Sequence, residues 1–278
     1  MIISIASGKG GTGKTTVATN LASAIDEEVQ LLDCDVEEPN AHLFLNPDIR
    51  DRETFFVPVP EIDKAKCTYC KKCAEICRFN AIAVFNQTIM TFPELCHSCG
   101  GCMAVCPENA VFETGREVGV VERGETGSID FTHGRLRVGE AMSPPLIHKV
   151  RSFIRKDILN IIDAPPGTSC PVISAMKGVD FVLLVTEPTP FGLHDLKLAV
   201  EAVKKLGLPR GLVINRSDIG DQQVESYARA ENLSILMEIP FDRRIAEVYS
   251  RGELIVNEMP EWKGKFLELY QNITEMAG

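Results

Sequence analysis

The sequence of 278 residues has little that would draw it to a polyanion or a bilayer. Basic residues are outnumbered, 29 Lys and Arg against 39 Asp and Glu, so the formal net charge is −10 and no overall field attracts nucleic acid or anionic lipid. No nucleic-acid partner is expected. No apolar run reaches the ~18 residues that a bilayer-spanning helix needs, and Met1-Ile2-Ile3-Ser4-Ile5-Ala6 enters a glycine-rich loop with no basic leader or cleavage site before it. A cytoplasmic protein without a stable membrane anchor is the expectation. With 45% hydrophobic and 24% charged residues the composition excludes disordered and collagen-like chains. At roughly 150 residues per domain, about two domains are expected.

Cysteine is the exception to this plain composition. Eight of the ten cysteines form two C-x2-C-x2-C-x3-C runs, Cys67, Cys70, Cys73 and Cys77, then Cys96, Cys99, Cys102 and Cys106. Such spacing suits metal ligands in a reducing compartment better than disulfides. The second run repeats the first at an offset of 29 residues, and Asn80-Ala81-Ile82 recurs as Asn109-Ala110-Val111 at the same offset. A self-similar unit carrying metal ligands reads as a small α+β domain, residues 59–115, inserted into a host made of residues 1–58 and 116–278.

The host has the alternation of an α/β protein. An apolar strand over 2–6, a helix over 14–25 and a buried strand over 29–32 are followed by strand-like runs at 157–162, 181–185, 211–214 and 234–239. Leu196, Val200, Val203 and Leu206 recur at helical spacing between two of these runs. A mostly parallel sheet with helices on both faces is predicted. Residues 117–138 read as a short antiparallel meander with a Gly124-Glu-Thr-Gly127 turn and a further strand from Gly134, and a helix is expected over 146–155. Trp262, Phe266, Leu269, Ile273 and Met276 form an apolar helical stripe flanked by charges of both signs, which predicts core packing and not membrane contact.

Gly8-Lys9-Gly10-Gly11-Thr12-Gly13-Lys14-Thr15 fits G-x-x-x-x-G-K-[ST] between a strand and a helix, with Thr16 next in the helix. Glycines there let backbone N–H groups converge on phosphate oxygens, while Lys14 supplies charge and Thr15 a Mg²⁺ ligand. Lys9 has no task in the local phosphate cradle. Asp33 and Asp35 end the second strand facing one way, and Cys34 between them faces the core. Asp163 ends another apolar strand before Pro165-Pro166-Gly167.

These motifs resemble the MinD/ParA/Mrp-type (SIMIBI) P-loop ATPases, a group that includes the nitrogenase iron protein. The resemblance implies an ATPase working as a nucleotide-sandwiched homodimer, or a heterodimer with a related ATPase, in which Lys9 contacts ATP on the facing subunit. It assigns Asp35 to the attacking water and Asp33 to the outer shell of Mg²⁺, a split that is open to reversal, and Asp163 to Mg²⁺. It places Asn215 and Pro240 at the adenine base. It also sets Cys170 roughly where the nitrogenase iron protein keeps an intersubunit cluster ligand; the alternative is a small packed residue at a helix start.

The inserted segment resembles the two-cluster bacterial ferredoxins, in which the fourth cysteine of each run ligates the other [4Fe-4S] cluster. One cluster then takes Cys67, Cys70, Cys73 and Cys106, the other Cys77, Cys96, Cys99 and Cys102. Two zinc sites are the alternative, although cysteines at every third position suit a cubane better. Arg78 stands where the ferredoxin pattern has proline, while Pro107 follows Cys106. His97 is expected to be a solvated or hydrogen-bonding loop residue. The expected function couples nucleotide state to electron transfer to, or metallocofactor assembly on, a partner protein. Alternatives are a MinD-like positioning ATPase with redox-sensing clusters, or an iron–sulfur cluster or metal carrier.

Overall fold

A computed structural model describes residues 1–278. The chain begins with β1 (Ile2–Ala6), α1 (Lys14–Ala24), β2 (Val29–Asp33), α2 (His42–Leu45) and β3 (Asp48–Ile62). The cysteine-rich segment follows, with α3 (Lys72–Ile76), β4 (Ile82–Phe85), β5 (Thr88–Thr91) and α4 (Gly101–Ala104). Next come β6 (Val111–Thr126), β7 (Ile129–Leu136), α5 (Pro144–Arg151), β8 (Leu159–Asp163), α6 (Cys170–Met176) and β9 (Phe181–Thr186). The last third holds α7 (Pro190–Leu206), β10 (Arg210–Asn215), α8 (Gln223–Ala230), β11 (Ile235–Ile239), α9 (Arg243–Ser250), α10 (Ile255–Glu258) and α11 (Glu261–Ala277).

One sheet of nine strands, in the order β11-β10-β9-β1-β8-β2-β7-β6-β3, runs through the molecule. Its neighbours are parallel from β11 to β7, and β6 and β3 add an antiparallel edge. Side chains alternate between two cores. Ile3, Ile5, Leu31, Ile161 and Leu183 face α1 and α11, whereas Ala6, Leu32, Ile162, Val182 and Leu184 face α5, α6 and α7. Trp262, Phe266, Leu269 and Ile273 are buried in the first core, as the stripe on α11 predicts, and Met276 at its end is exposed. No helix is long and apolar enough to cross a membrane.

The antiparallel part differs from the predicted meander. β6 is 16 residues long, and Gly134 lies inside β7 instead of opening a third strand. Packing explains that glycine: a Cβ there would sit 2.8 Å from side-chain atoms of Val36 and of Val150. The partner strand β3 escapes a reading by periodicity, because its first half is a charged, exposed run and Pro58 and Pro60 interrupt its second half. Proline is tolerated there because β3 is the sheet edge. Both strands cross the boundaries drawn at 59 and 115, with Val57 opposite Arg116, Val59 opposite Thr114 and Ile62 opposite Val111. Residues 63–110 thus form a lobe at the tip of a long hairpin that is rooted in the sheet. Cys73, Ile82, Ile89 and Val111 give this lobe a small core of its own, while Ala81 and Cys96 pack into the second core of the main sheet.

His133 on β7 is buried and pairs through Nε2 with Glu122 at 2.9 Å, and His42 packs on it with ring centres 5.1 Å apart. Burial holds both imidazoles below their ordinary range, against the pull of Glu122. Unfolded imidazole takes up a proton near pH 6.5, and these folded rings resist it, so each costs stability as the pH falls below that value. A His42→Gln chain is therefore expected to improve relative to the wild type between about pH 7.5 and about pH 5.5, compared as urea midpoints. A difference between the two chains that does not vary with pH would remove His42 from this account.

Candidate functional site

The loop after β1 delivers its backbone to the N-terminus of α1. Gly11 and Gly13 have φ of +78° and +96°, and a Cβ on Gly13 would lie 2.5 Å from Asn215 Nδ2. Glycine is needed at 13 both for its φ and for this close approach. Lys14 is buried, and the Thr15 hydroxyl donates to Asp163 Oδ2 at 2.6 Å. Gly10, Gly11, Gly13, Lys14, Thr15, Thr16 and Asp35 line one side of a cavity of about 330 Å³. Asn215, Arg216, Pro240, Phe241 and Tyr249 line the rest.

The parallel register sets Asp33 of β2 beside Asp163 of β8, both fully buried. Asp33 spends its oxygens on the loop that follows: Oδ1 accepts from the Asp35 N–H at 3.0 Å, and Oδ2 accepts from Asn40 and Ala41, each at 3.1 Å. Asp163 by contrast keeps Oδ1 buried with no protein partner. Burial and then the neighbouring Asp163 raise Asp33 well above the usual carboxylate range. Burial, with Asp163 second, also pushes Asp35 up to about 7 against the lowering by Lys14. Asp163 is raised by burial to about 6, again opposed by Lys14 and by the Thr15 hydrogen bond. An orphaned carboxylate oxygen beside a threonine hydroxyl, within a group of crowded acids, is a donor set that fits Mg²⁺.

Other predicted residues are placed as follows. Asn215 reaches the cavity, but its amide braces the phosphate loop, Nδ2 donating to Thr12 O at 2.9 Å and Oδ1 accepting from the Arg216 N–H at 3.0 Å. Pro240 lies on the wall beside Phe241. The Lys9 ammonium points at Glu187, 3.8 Å from Oε2. Cys34 is buried, its thiol pushed up by burial, whereas Cys170 at the start of α6 is exposed instead of packed. Arg216 and Glu187 were not found by sequence reading. The one sign at Arg216 is a backbone φ of +54°, visible only in three dimensions.

In the lobe the eight cysteines divide between two cavities. Cys67, Cys70, Cys73 and Cys106 line one, and Cys77, Cys96, Cys99 and Cys102 line the other. Each cavity therefore draws three cysteines from one run and the last cysteine of the other. The second wall includes Ile76, Phe79 and Met103, and Phe79 stacks on His97 at 3.6 Å between ring centres. Backbone N–H groups point at sulfur: Ala81 at Cys77 (3.3 Å), Ser98 at Cys96 (3.4 Å) and Ala110 at Cys106 (3.2 Å). Positive φ recurs at matching places of the repeat, Tyr69 with Ser98, Lys71 with Gly100, and Asn80 with Asn109. No three His, Cys, Asp or Glu side chains converge on a point that would hold a single metal ion.

Residues 3–255 match the family model described as the CobQ/CobB/MinD/ParA nucleotide binding domain. The chain belongs to that family. It is 32% identical to an uncharacterized protein of Methanocaldococcus jannaschii, over 100% of this chain and 96% of that one. An iron–sulfur cluster carrier protein of Aquifex aeolicus is 28% identical, over 94% of this chain and 63% of its own length. Among solved structures, the septum site-determining protein MinD of Pyrococcus horikoshii, complexed with Mg-ADP, superposes with a TM-score of 0.62 at 24% identity, covering 100% of this chain and 97% of that one. The protein is a P-loop ATPase related to MinD and ParA. An Asp163→Asn chain is accordingly expected to lose about 10²-fold or more in kcat for ATP while it still binds ADP in the absence of Mg²⁺. Steady-state hydrolysis and calorimetric ADP titration read the two effects separately, and full activity in that variant would remove Asp163 from the metal site.

Proposed function

We propose that this ATPase is an iron–sulfur protein of the carrier kind, in which MgATP binding and hydrolysis control the handover of iron–sulfur units to a partner protein. The observation that carries this reading is the sorting of eight cysteines into two four-cysteine cavities on a hairpin that grows from the ATPase sheet. Four sulfurs set around a cavity, with backbone N–H groups aimed at three of the eight, suit a polynuclear centre that carries charge on its sulfurs. When bound, a [4Fe-4S] cluster supplies a one-electron couple and a transferable iron–sulfur unit. The likeness to iron–sulfur cluster carrier proteins points the same way.

The chain's own residues then have distinct tasks. Gly8 to Thr16 cradle the phosphates, Thr15 and Asp163 hold Mg²⁺, and Lys14 neutralises phosphate charge. Asp35, pushed up to about 7, orients the attacking water and accepts its proton. Asp33 fixes the loop that carries Asp35. Lys9 serves the nucleotide of the facing subunit in a nucleotide-bridged dimer. Cys170, exposed at the start of α6, is the transfer ligand, while the lobe keeps two clusters of its own.

A second reading, ATP-gated electron transfer, is favoured by the crossed distribution of cysteines, since ligands from both runs bind each cluster more permanently than cargo requires. Anaerobic reconstitution is expected to give about eight irons and eight sulfides per chain, and Cys77→Ser or Cys106→Ser to remove one cluster's EPR signal each. Cys170→Ser is expected to retain all the iron yet lose ATP-dependent transfer to an apo-ferredoxin acceptor. Undiminished transfer by that variant, together with a cluster potential that shifts when MgATP is added, would decide for the electron-transfer reading.

A further inference from the structure

Glu187 has no task in the account so far, although it is an acid with a side chain only 10% exposed, standing just beyond β9. Because β9 lies next to β1 in the sheet, this end of β9 is set beside the phosphate loop. The backbone at 187 is fixed. Its carbonyl accepts the Thr189 N–H at 2.8 Å, and a Cβ on Gly192 would lie 2.2 Å from that oxygen, so α7 packs directly on it. The carboxylate faces two cations from different elements, Arg216 after β10 at 3.0 Å and Lys9 of the phosphate loop at 3.8 Å.

The two contacts are unequal. Arg216 Nη1 is the closer, 3.0 Å from Oε1, and Lys9 the more distant at 3.8 Å from Oε2; neither makes a hydrogen bond to the carboxylate, so both are held by charge attraction, the lysine more weakly. A buried carboxylate that lost its sole cation would bear a large desolvation cost. Here Lys9 can leave while Arg216 keeps Glu187 paired, so release of the lysine is cheap and its return is favoured. Lys9 also stands next to open space, since Gly10 and Gly11 have no atom within 4 Å of a would-be Cβ.

We infer that Glu187 is the positioning residue for Lys9: it draws the ammonium away from the phosphates of its own chain and presents it toward the facing subunit, with Arg216 as the permanent counter-ion. This rests on the proposed reading of Lys9 as a residue that acts across the dimer. Without the carboxylate, Lys9 turns onto its own nucleotide, strengthening binding in cis and weakening hydrolysis in trans.

The test compares Glu187→Gln in two backgrounds, wild type and Lys9→Ala, with calorimetric ATP affinity at dilute protein, kcat, and ATP-dependent dimerisation by light scattering as readouts. In the wild-type background Glu187→Gln is expected to tighten ATP about tenfold and lower kcat about tenfold, a split between binding and turnover that loss of structure does not produce. In the Lys9→Ala background the same substitution is expected to change neither. Glu187→Asp, which keeps the charge and shortens the reach, is expected to act in the same direction to a smaller degree, and serves if the glutamine variant does not fold. Equal effects in both backgrounds, or no effect in either, overturn the role of Glu187. If Lys9→Ala alone leaves kcat and dimerisation unchanged, it is the reading of Lys9 across the dimer that fails.

Discussion

Asp33, Asp35 and Asp163 are gathered at the C-terminal ends of β2 and β8, and the rest of the site is organised around the cost of holding them there. Burial is the largest cause of the upward shift in all three, mutual repulsion adds to it for Asp33 and Asp35, and Lys14 offsets it for Asp35 and Asp163. Carboxylates crowded in this way resist ionising together. A divalent ion with a triphosphate changes that balance, because the metal favours the ionised acids while the phosphates engage Lys14. The phosphate loop, the metal ligands and the loop behind Asp33 are therefore electrostatically one unit.

That unit is tied to the cysteine lobe through close packing. The loop held by Asp33 bonds outward as well, Val36 O accepting the Leu136 N–H at 2.8 Å and Glu37 accepting from the Ser143 hydroxyl at 3.0 Å at the start of α5. Val36 also fills the space over Gly134 together with Leu146 and Val150 of α5, where no Cβ fits. From α5 the contacts pass to both hairpin strands, Leu146 resting over Gly119 of β6 and Lys149 pairing with Glu53 of β3 at 3.0 Å. The Ser98 hydroxyl finally donates to Pro58 O of β3 at 2.6 Å, two residues from Cys96. Interiors packed to this density pass displacements on and do not absorb them. Contacts therefore run without a break from the loop at 34–41 to the base of the lobe, the path along which the proposed control of the cysteine cavities by nucleotide would act.

How much of this was legible in the sequence follows from what each feature depends on. The phosphate loop could be read because glycine and lysine at that fixed spacing between a strand and a helix have few other uses, whereas Asp163, a common kind of strand-end residue, was singled out by the family resemblance. Spacing and internal repetition show the two runs of cysteines, the crossed grouping is what the resemblance to two-cluster ferredoxins implies, and each cavity is lined by one of those sets. Glu187 and Arg216 could not be read, since their meeting with Lys9 depends on β9 lying between β1 and β10, an order that no local pattern carries. Gly134 was mistaken for punctuation because a glycine demanded by a neighbouring helix looks, in one dimension, like a glycine demanded by a turn. For Asp33 the residue was found and its surroundings were not: three backbone N–H groups supplied by the next eight residues occupy its oxygens.

The position of the lobe on the sheet edge has its own logic. A 15-residue edge strand with unpaired backbone groups is an aggregation hazard, which proteins blunt with charge, proline or a cover. β3 carries charged residues over 48–53 and prolines at 58 and 60, and Ser98 of the lobe caps the outward carbonyl of Pro58. The insertion therefore protects the edge from which it springs. Because β3 runs parallel to β7 and β2, the lobe leaves the sheet on the side toward which β1, β2, β8 and β9 also run, but at the far lateral edge of the strand order.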